Sequence, residues 1–162
     1  MRQFDYGYAI PSGLPGGIFD LSNKEVVTRR LADGTETGPG MGLVKGANPG
    51  DTVANPTATT ASDDFEGVFV NGSKNLENDR YGNAVVKGAY ALGIMKHGKI
   101  WANIAGTATV SYGKKVAFIT NGNNAGKFTD EADDSEATKV TINAQFNGKV
   151  DKENGIAVIE LK

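Results

Sequence analysis

Val140-Thr141-Ile142-Asn143-Ala144-Gln145-Phe146 decides the fold. Apolar side chains hold its even positions and polar ones its odd positions, which is the period of a strand with one face buried and the other in water. Such half-buried strands belong to antiparallel sheets. Asn147-Gly148 follows at once, and Asn154-Gly155 stands just before Ile156-Ala157-Val158-Ile159-Glu160-Leu161. Both dipeptides favour the positive φ of tight turns, so the C-terminal segment is expected to return as the next strand or to cross the core.

Outward from this stretch the same signals repeat. Glycine supplies 22 of the 162 residues, nearly twice the usual share of about 7%. Each interior glycine costs a helix about 1 kcal/mol, and the runs between glycines are short and rich in Val, Ile, Thr and aromatics. Further strands are expected at Glu25 to Arg30, Gly42 to Lys45, Glu66 to Val70, Ala84 to Lys87, Ala89 to Lys96, Lys99 to Ile104 and Lys115 to Thr120. His97-Gly98 lies between two of these and reads as a two-residue hairpin turn with His97 at the surface. The expected fold is all-β: one domain over residues 1–162, a small β-barrel or β-sandwich of about eight to ten short strands. Within it, residues 1–21 form an extended N-terminal segment and residues 22–162 a β core with long loops at 46–64 and 71–83. Ser73 to Arg80 is the one place where a helical turn fits. No fixed-period repeat and no interdomain linker is visible.

Composition removes many chemistries. With no cysteine, the chain has no disulfide, thiolate nucleophile or cysteine-ligated metal. His97 is the single histidine, which rules out a multi-histidine metal site within one chain. Lys and Arg total 17 against 19 Asp and Glu, a net charge of -2. Proteins that hold DNA by its phosphates carry a basic excess, so no nucleic-acid partner is expected. The longest mainly apolar run, Ala89 to Met95, falls far short of the ~20 residues of a membrane span. No apolar signal core follows Met1-Arg2-Gln3-Phe4-Asp5, so synthesis in the cytoplasm and no membrane association are expected, and the sequon Asn71-Gly72-Ser73 is expected to stay unused.

Four local patterns invite a chemical reading and have a simpler one. Gly46-Ala47-Asn48-Pro49-Gly50-Asp51-Thr52 has phosphate-loop glycine spacing, but Asp51 stands where the lysine belongs. The acidic run Thr129 to Glu136 lacks the glycine and glutamate of a calcium loop and reads as a solvated acidic loop. Asp63-Asp64 reads as a solvated strand cap rather than a catalytic carboxylate pair. Trp101 alternates with Ile100 and Ala102, which suits core packing, while a lone tryptophan also suits an interface anchor. No catalytic residue, metal ligand or cofactor site is expected.

The first twenty residues differ from the rest. Asp5-Tyr6-Gly7-Tyr8-Ala9-Ile10-Pro11-Ser12-Gly13-Leu14-Pro15-Gly16-Gly17-Ile18-Phe19-Asp20 mixes aromatics with Pro and Gly and as a whole shows neither helical nor strand period. Tyr6, Tyr8, Ile10, Ile18 and Phe19 are too apolar for a solvated tail, and with Trp101 they are the candidate partner-binding residues. Two placements stay open: an arm on a partner surface, or an edge strand packed on the chain's own body.

Tyr6 to Pro11 with Pro15-Gly16-Gly17-Ile18-Phe19-Asp20-Leu21, then Gly40-Met41-Gly42-Leu43-Val44-Lys45-Gly46, Phe65-Glu66-Gly67-Val68-Phe69-Val70-Asn71-Gly72 and Gly93 to Trp101 follow in order along the chain. Together they resemble the structural cement, or head decoration, proteins of tailed bacteriophages. The resemblance implies a non-enzymatic virion protein on the outer surface of the capsid. Its partner would be the major capsid protein, whose neighbouring subunits it would tie together against the pressure of packed DNA. A homo-oligomer, with a trimer favoured, is expected because linked copies multiply weak contacts. The rival reading is a receptor- or carbohydrate-binding β-sandwich module of a phage tail or cell surface.

Overall fold

The computed structural model describes residues 13–72, 76–136 and 138–162. Among these residues the chain forms twelve strands, one 3-10 turn at Ser62–Asp64 and no α-helix. The strands are β1 (Glu25–Leu31), β2 (Glu36–Thr37), β3 (Gly42–Lys45), β4 (Thr52–Ala54), β5 (Phe65–Phe69) and β6 (Glu77–Asn78), then β7 (Ala84–Lys87), β8 (Ala91–Asn103), β9 (Lys115–Ile119), β10 (Phe128–Asp130), β11 (Lys139–Asp151) and β12 (Ile156–Leu161). Nine make one sheet in the order β1-β4-β3-β5-β8-β12-β11-β9-β10, and β2, β7 and β6 make a second. The fold is all-β, as glycine spacing and alternation require.

The nine-stranded sheet doubles back on itself. β1 pairs with β4 and also with β8, so the path β1-β4-β3-β5-β8 returns to its start. The other half runs from β8 through β12, β11 and β9 to β10, where Phe128 bridges back to Ile104 just past β8. Each half has its own core. The smaller gathers Leu31, Leu43, Val53, Phe69, Val86, Leu92 and Ile94. The larger centres on Phe118, Phe128 and Phe146 with Met95, Ile100 and Ile159. Phe65 meets Phe118 and Phe128 edge-on at centroid distances of 5.1 and 6.1 Å. Gly42 of β3 lies under this ring cluster, and a Cβ there would overlap the Phe118 ring and stand 2.8 Å from Phe128 Cζ.

Five expectations need correction. His97-Gly98 is no hairpin. The flanking strands each have a better partner, β1 for residues 91–97 and β12 for residues 98–103, so β8 runs straight through as one strand. The register slips by one residue at Lys96, Gly98 just beyond it takes φ 119, and half-buried His97 faces Asn23, with Nε2 3.1 Å from its Nδ2. Asn147-Gly148 is no turn either. The loop before β9 continues the pairing, with Gly113 N–H donating to Phe146 O and Phe146 N–H to Lys114 O, both at 2.9 Å. β11 therefore bulges, setting residues 147–149 opposite the one residue Val158, and the reversal waits for Asn154-Gly155, where Gly155 has φ 63.

The segment 46–64 is not wholly a surface excursion. It contains β4, whose Val53 is buried in the smaller core. Of the segment 73–80, residues 73–75 lie outside the described residues, and Glu77–Asn78 form β6 rather than part of a helical turn.

The acidic run is anchored rather than simply solvated. Thr129 and Asp130 are buried in β10, and Asp130 accepts from the backbone N–H of Thr109 and Ala132. Asp133 then brackets two loops: its Oδ2 accepts from Thr107 Oγ1 at 2.8 Å and Thr129 Oγ1 at 2.6 Å, and its Oδ1 from Ser135 N–H and Oγ. The hydrogen bonds from Ser135 and Thr129 hold its carboxyl far below the usual carboxylate range. Buried Glu66 is matched similarly, by Arg29 at 3.0 Å and Lys96 at 3.6 Å, which joins β1, β5 and β8.

Two outcomes follow. Gly42→Ala will cost about 1–3 kcal/mol by overpacking, read as a lower urea midpoint, whereas Gly106→Ala, with open space at its Cβ, will stay within about 0.5 kcal/mol. Because the folded pKa of Asp133 is depressed, its stabilisation is present above the unfolded carboxylate pKa of about 4 and is lost as pH falls below it. Asp133→Asn will therefore destabilise the protein by about 1–3 kcal/mol at neutral pH, and its melting temperature will fall less steeply than the wild type's between about pH 4 and pH 2.

Candidate functional site

The described part of the N-terminal segment lies along β8. Gly16 N–H donates to Trp101 O at 2.7 Å, Trp101 N–H to Gly17 O at 2.9 Å and Phe19 N–H to Lys99 O at 2.9 Å. Ile18 bridges antiparallel to Ile100 and packs against the larger core. These residues form a strap, an edge-strand placement on the chain's own body. Two glycines allow so close an approach. A Cβ at Gly13 would fall on the Trp101 indole, and Gly16, at φ 73, would drive one to 2.7 Å from Phe69 O and Asn71 N.

The strap presents an apolar surface. Phe19 stands edge-on to Trp101, with centroids 6.1 Å apart and planes at 72°. Phe19 is 37% exposed, Leu14 68% and Leu21 75%, while Trp101 is half-buried. Asp20 pairs with Lys99 at 3.5 Å. Hydrogen bonds from the Ser22 backbone and hydroxyl, then Lys99, lower its carboxyl below the ordinary value.

Of the six residues singled out in the sequence, the fold brings Ile18, Phe19 and Trp101 together. Tyr6, Tyr8 and Ile10 lie outside the described residues. Leu14 and Leu21 were not singled out, although both stand in the quoted stretch. The signal was available: each sits beside residues that turn the chain, Gly13 and Pro15 for Leu14, Asp20 and Ser22 for Leu21. At such places a large side chain has no core to enter.

The remaining candidates have structural roles. Thr52 Oγ1 accepts from Asn48 N–H at 3.0 Å, closing the glycine-spaced turn before β4. Asp64 Oδ2 accepts from Ala61 N–H at 2.9 Å at the 3-10 turn. No group of three or more His, Asp or Glu is placed to hold a metal ion among the described residues.

The comparisons bear on the family and the fold. Residues 2–162 match the family model for "Structural cement protein (E217 gp24/Pam3 gp6)". A chain of the solved structure "The capsid of Myoviridae Phage XM1" has the same fold, with a TM-score of 0.69 at 14% identity, covering 100% of this chain and 98% of that one. The search of curated proteins gave no match. The match over residues 2–162 places this chain in the family of phage structural cement proteins.

Proposed function

We propose that the protein binds the outer surface of the assembled phage capsid and cements neighbouring major capsid protein subunits, stabilising the head against the pressure of packed DNA. One observation carries the reading to particular residues: on a member of the cement family, Leu14, Phe19 and Leu21 stand exposed beside Trp101 on a backbone locked to β8. Large apolar side chains held on a rigid element suit an interface, because they bury area on binding and lose little freedom. The role is one of binding, and it needs no cofactor or catalytic group.

The protein acts as a homotrimer on this reading. A single module of this size offers a contact near the ~1,000 Å² lower limit for a specific interface. Linked copies convert several such contacts into one strong attachment.

Two measurements check these statements. Heads lacking the protein, mixed with it and sedimented, will take it up and withstand higher temperature before releasing DNA. The double variant Leu14→Ser/Leu21→Ser will melt within about 1 kcal/mol of the wild type, since both side chains are exposed, and will bind heads at least about tenfold more weakly. Unchanged binding would remove the strap from the contact. Light scattering at high concentration, or on protein released from heads, will give three times the 17.0 kDa chain mass; monomer in both would exclude the trimer.

A further inference from the structure

A cleft of about 680 Å³ opens between the strap and the small sheet. Its walls are apolar and stiff: Pro15, Pro39 and Pro56, three of the chain's five prolines, line it with Met41 and Val85. Asn103 braces one wall by donating from Nδ2 to Pro39 O at 2.9 Å. Glu36 and Asp79 put negative charge on the small-sheet side, and Lys127 supplies a positive charge. Cavities of this size take ligands of several side chains, and a preformed apolar wall reduces the entropy lost on binding.

The sequence contains a segment of matching chemistry. Phe4, Tyr6, Tyr8 and Ile10 fall on every second residue, with Asp5, Gly7 and Ala9 between them, a short alternation that ends at Pro11. In an extended chain these four side chains share one face about 20 Å long, while the opposite face is small enough for close approach. That face requires an apolar partner. Arg2 and Asp5 carry charges opposite to those of Glu36 and Asp79 on one side and Lys127 on the other.

The strap's path argues that the segment comes from another copy. Leu14 already forms part of the cleft rim, and the turn closed by Gly17 N–H donating to Leu14 O leads the chain on to β8. Gly13 lies against the Trp101 ring, and neither residue lines the cleft, so at Gly13 the chain stands off the rim on the Trp101 side. We propose that the cleft receives residues 4–10 of a neighbouring copy, so that copies join head to tail through exchanged N-terminal segments. Such a heterologous contact closes into a ring when its rotation allows, and the inference rests on the trimer reading above.

The chain has no cysteine, which makes the test direct. Ala9→Cys is combined with Ala84→Cys or with Ala125→Cys, two positions lining the cleft. Each double variant is treated with a short bismaleimide, both in concentrated solution and bound to heads. The expected result is covalent dimers and trimers on a denaturing gel for the double variants, absent for each single variant. A crosslink within one chain would overturn the proposal in favour of the protein's own segment, and absence of any crosslink in both settings would also overturn it. Equal dimers from Ala9→Cys alone would show segment meeting segment, and would likewise overturn it. Head binding by the same variants is scored separately: decorated heads without interchain crosslinks would discard the exchange and leave the capsid reading intact.

Discussion

The structure depends on one strand serving two cores. In its first half β8 gives Leu92 and Ile94 to the smaller core and Met95, on the opposite face, to the larger. Past Gly98, the even-numbered Ile100 and Ala102 belong to the larger core. The parity has changed, because β8 bulges at Lys96, the extra residue between Met95 and His97 opposite Val26 and Glu25, and Gly98 follows at φ 119. A residue with a Cβ is strained at that angle and would also meet Lys24, whose Cα would lie 3.3 Å away. A regular strand would send Lys99, Trp101 and Asn103 inward and Ile100 and Ala102 outward, so the larger core could not form on β8.

The same shift creates the outer surface. With Ile100 and Ala102 turned in, Lys99, Trp101 and Asn103 become the outward row of β8. Each holds part of the strap or of the cleft: Lys99 pairs with Asp20, Trp101 covers Gly13 and meets Phe19, and Asn103 holds Pro39 at the cleft wall. The strap and the cleft are therefore two consequences of one backbone irregularity. Strap binding also feeds back on the fold, because Asn71 N–H donates to Gly16 O at 2.8 Å and Gly40 N–H to Phe69 O at 2.9 Å, tying the ends of β5 and β3 to the same place.

How much of this was legible in the sequence depended on whether the deciding partner was local. Val140 to Phe146 and Ile156 to Leu161 could be read directly, because alternation and β-branching are properties of the segment itself. His97-Gly98 and Asn147-Gly148 could not. Both have the composition of a two-residue turn, and both lie in strands held straight by neighbours remote in sequence, β1 and β12 for the first and the Ser111–Lys114 loop for the second. β4 was missed because three residues are too few to show a period, although Val53 is fully buried. The site was half legible for a related reason. Aromatics amid Pro and Gly announced a segment in need of a surface, and that Gly13 is the residue lying on Trp101 is a long-range fact carried by no local pattern.

On the proposed role, the physics of cementing favours this architecture over a tighter but smaller binder. A ligand that spans two capsid subunits binds fully only while both are in place, so its binding free energy is added to the closed lattice alone. At a free concentration one hundred times Kd, each occupied site adds about 2.7 kcal/mol. A shell offers many sites, so no single contact has to be strong, and modest exposed residues such as Leu14, Phe19 and Leu21 are enough if their geometry is kept. Keeping it is what the body contributes. Those residues stand on a strap hydrogen-bonded to the strand at the centre of both cores, so a load on the strap passes into backbone pairing and buried aromatic packing rather than into a flexible loop.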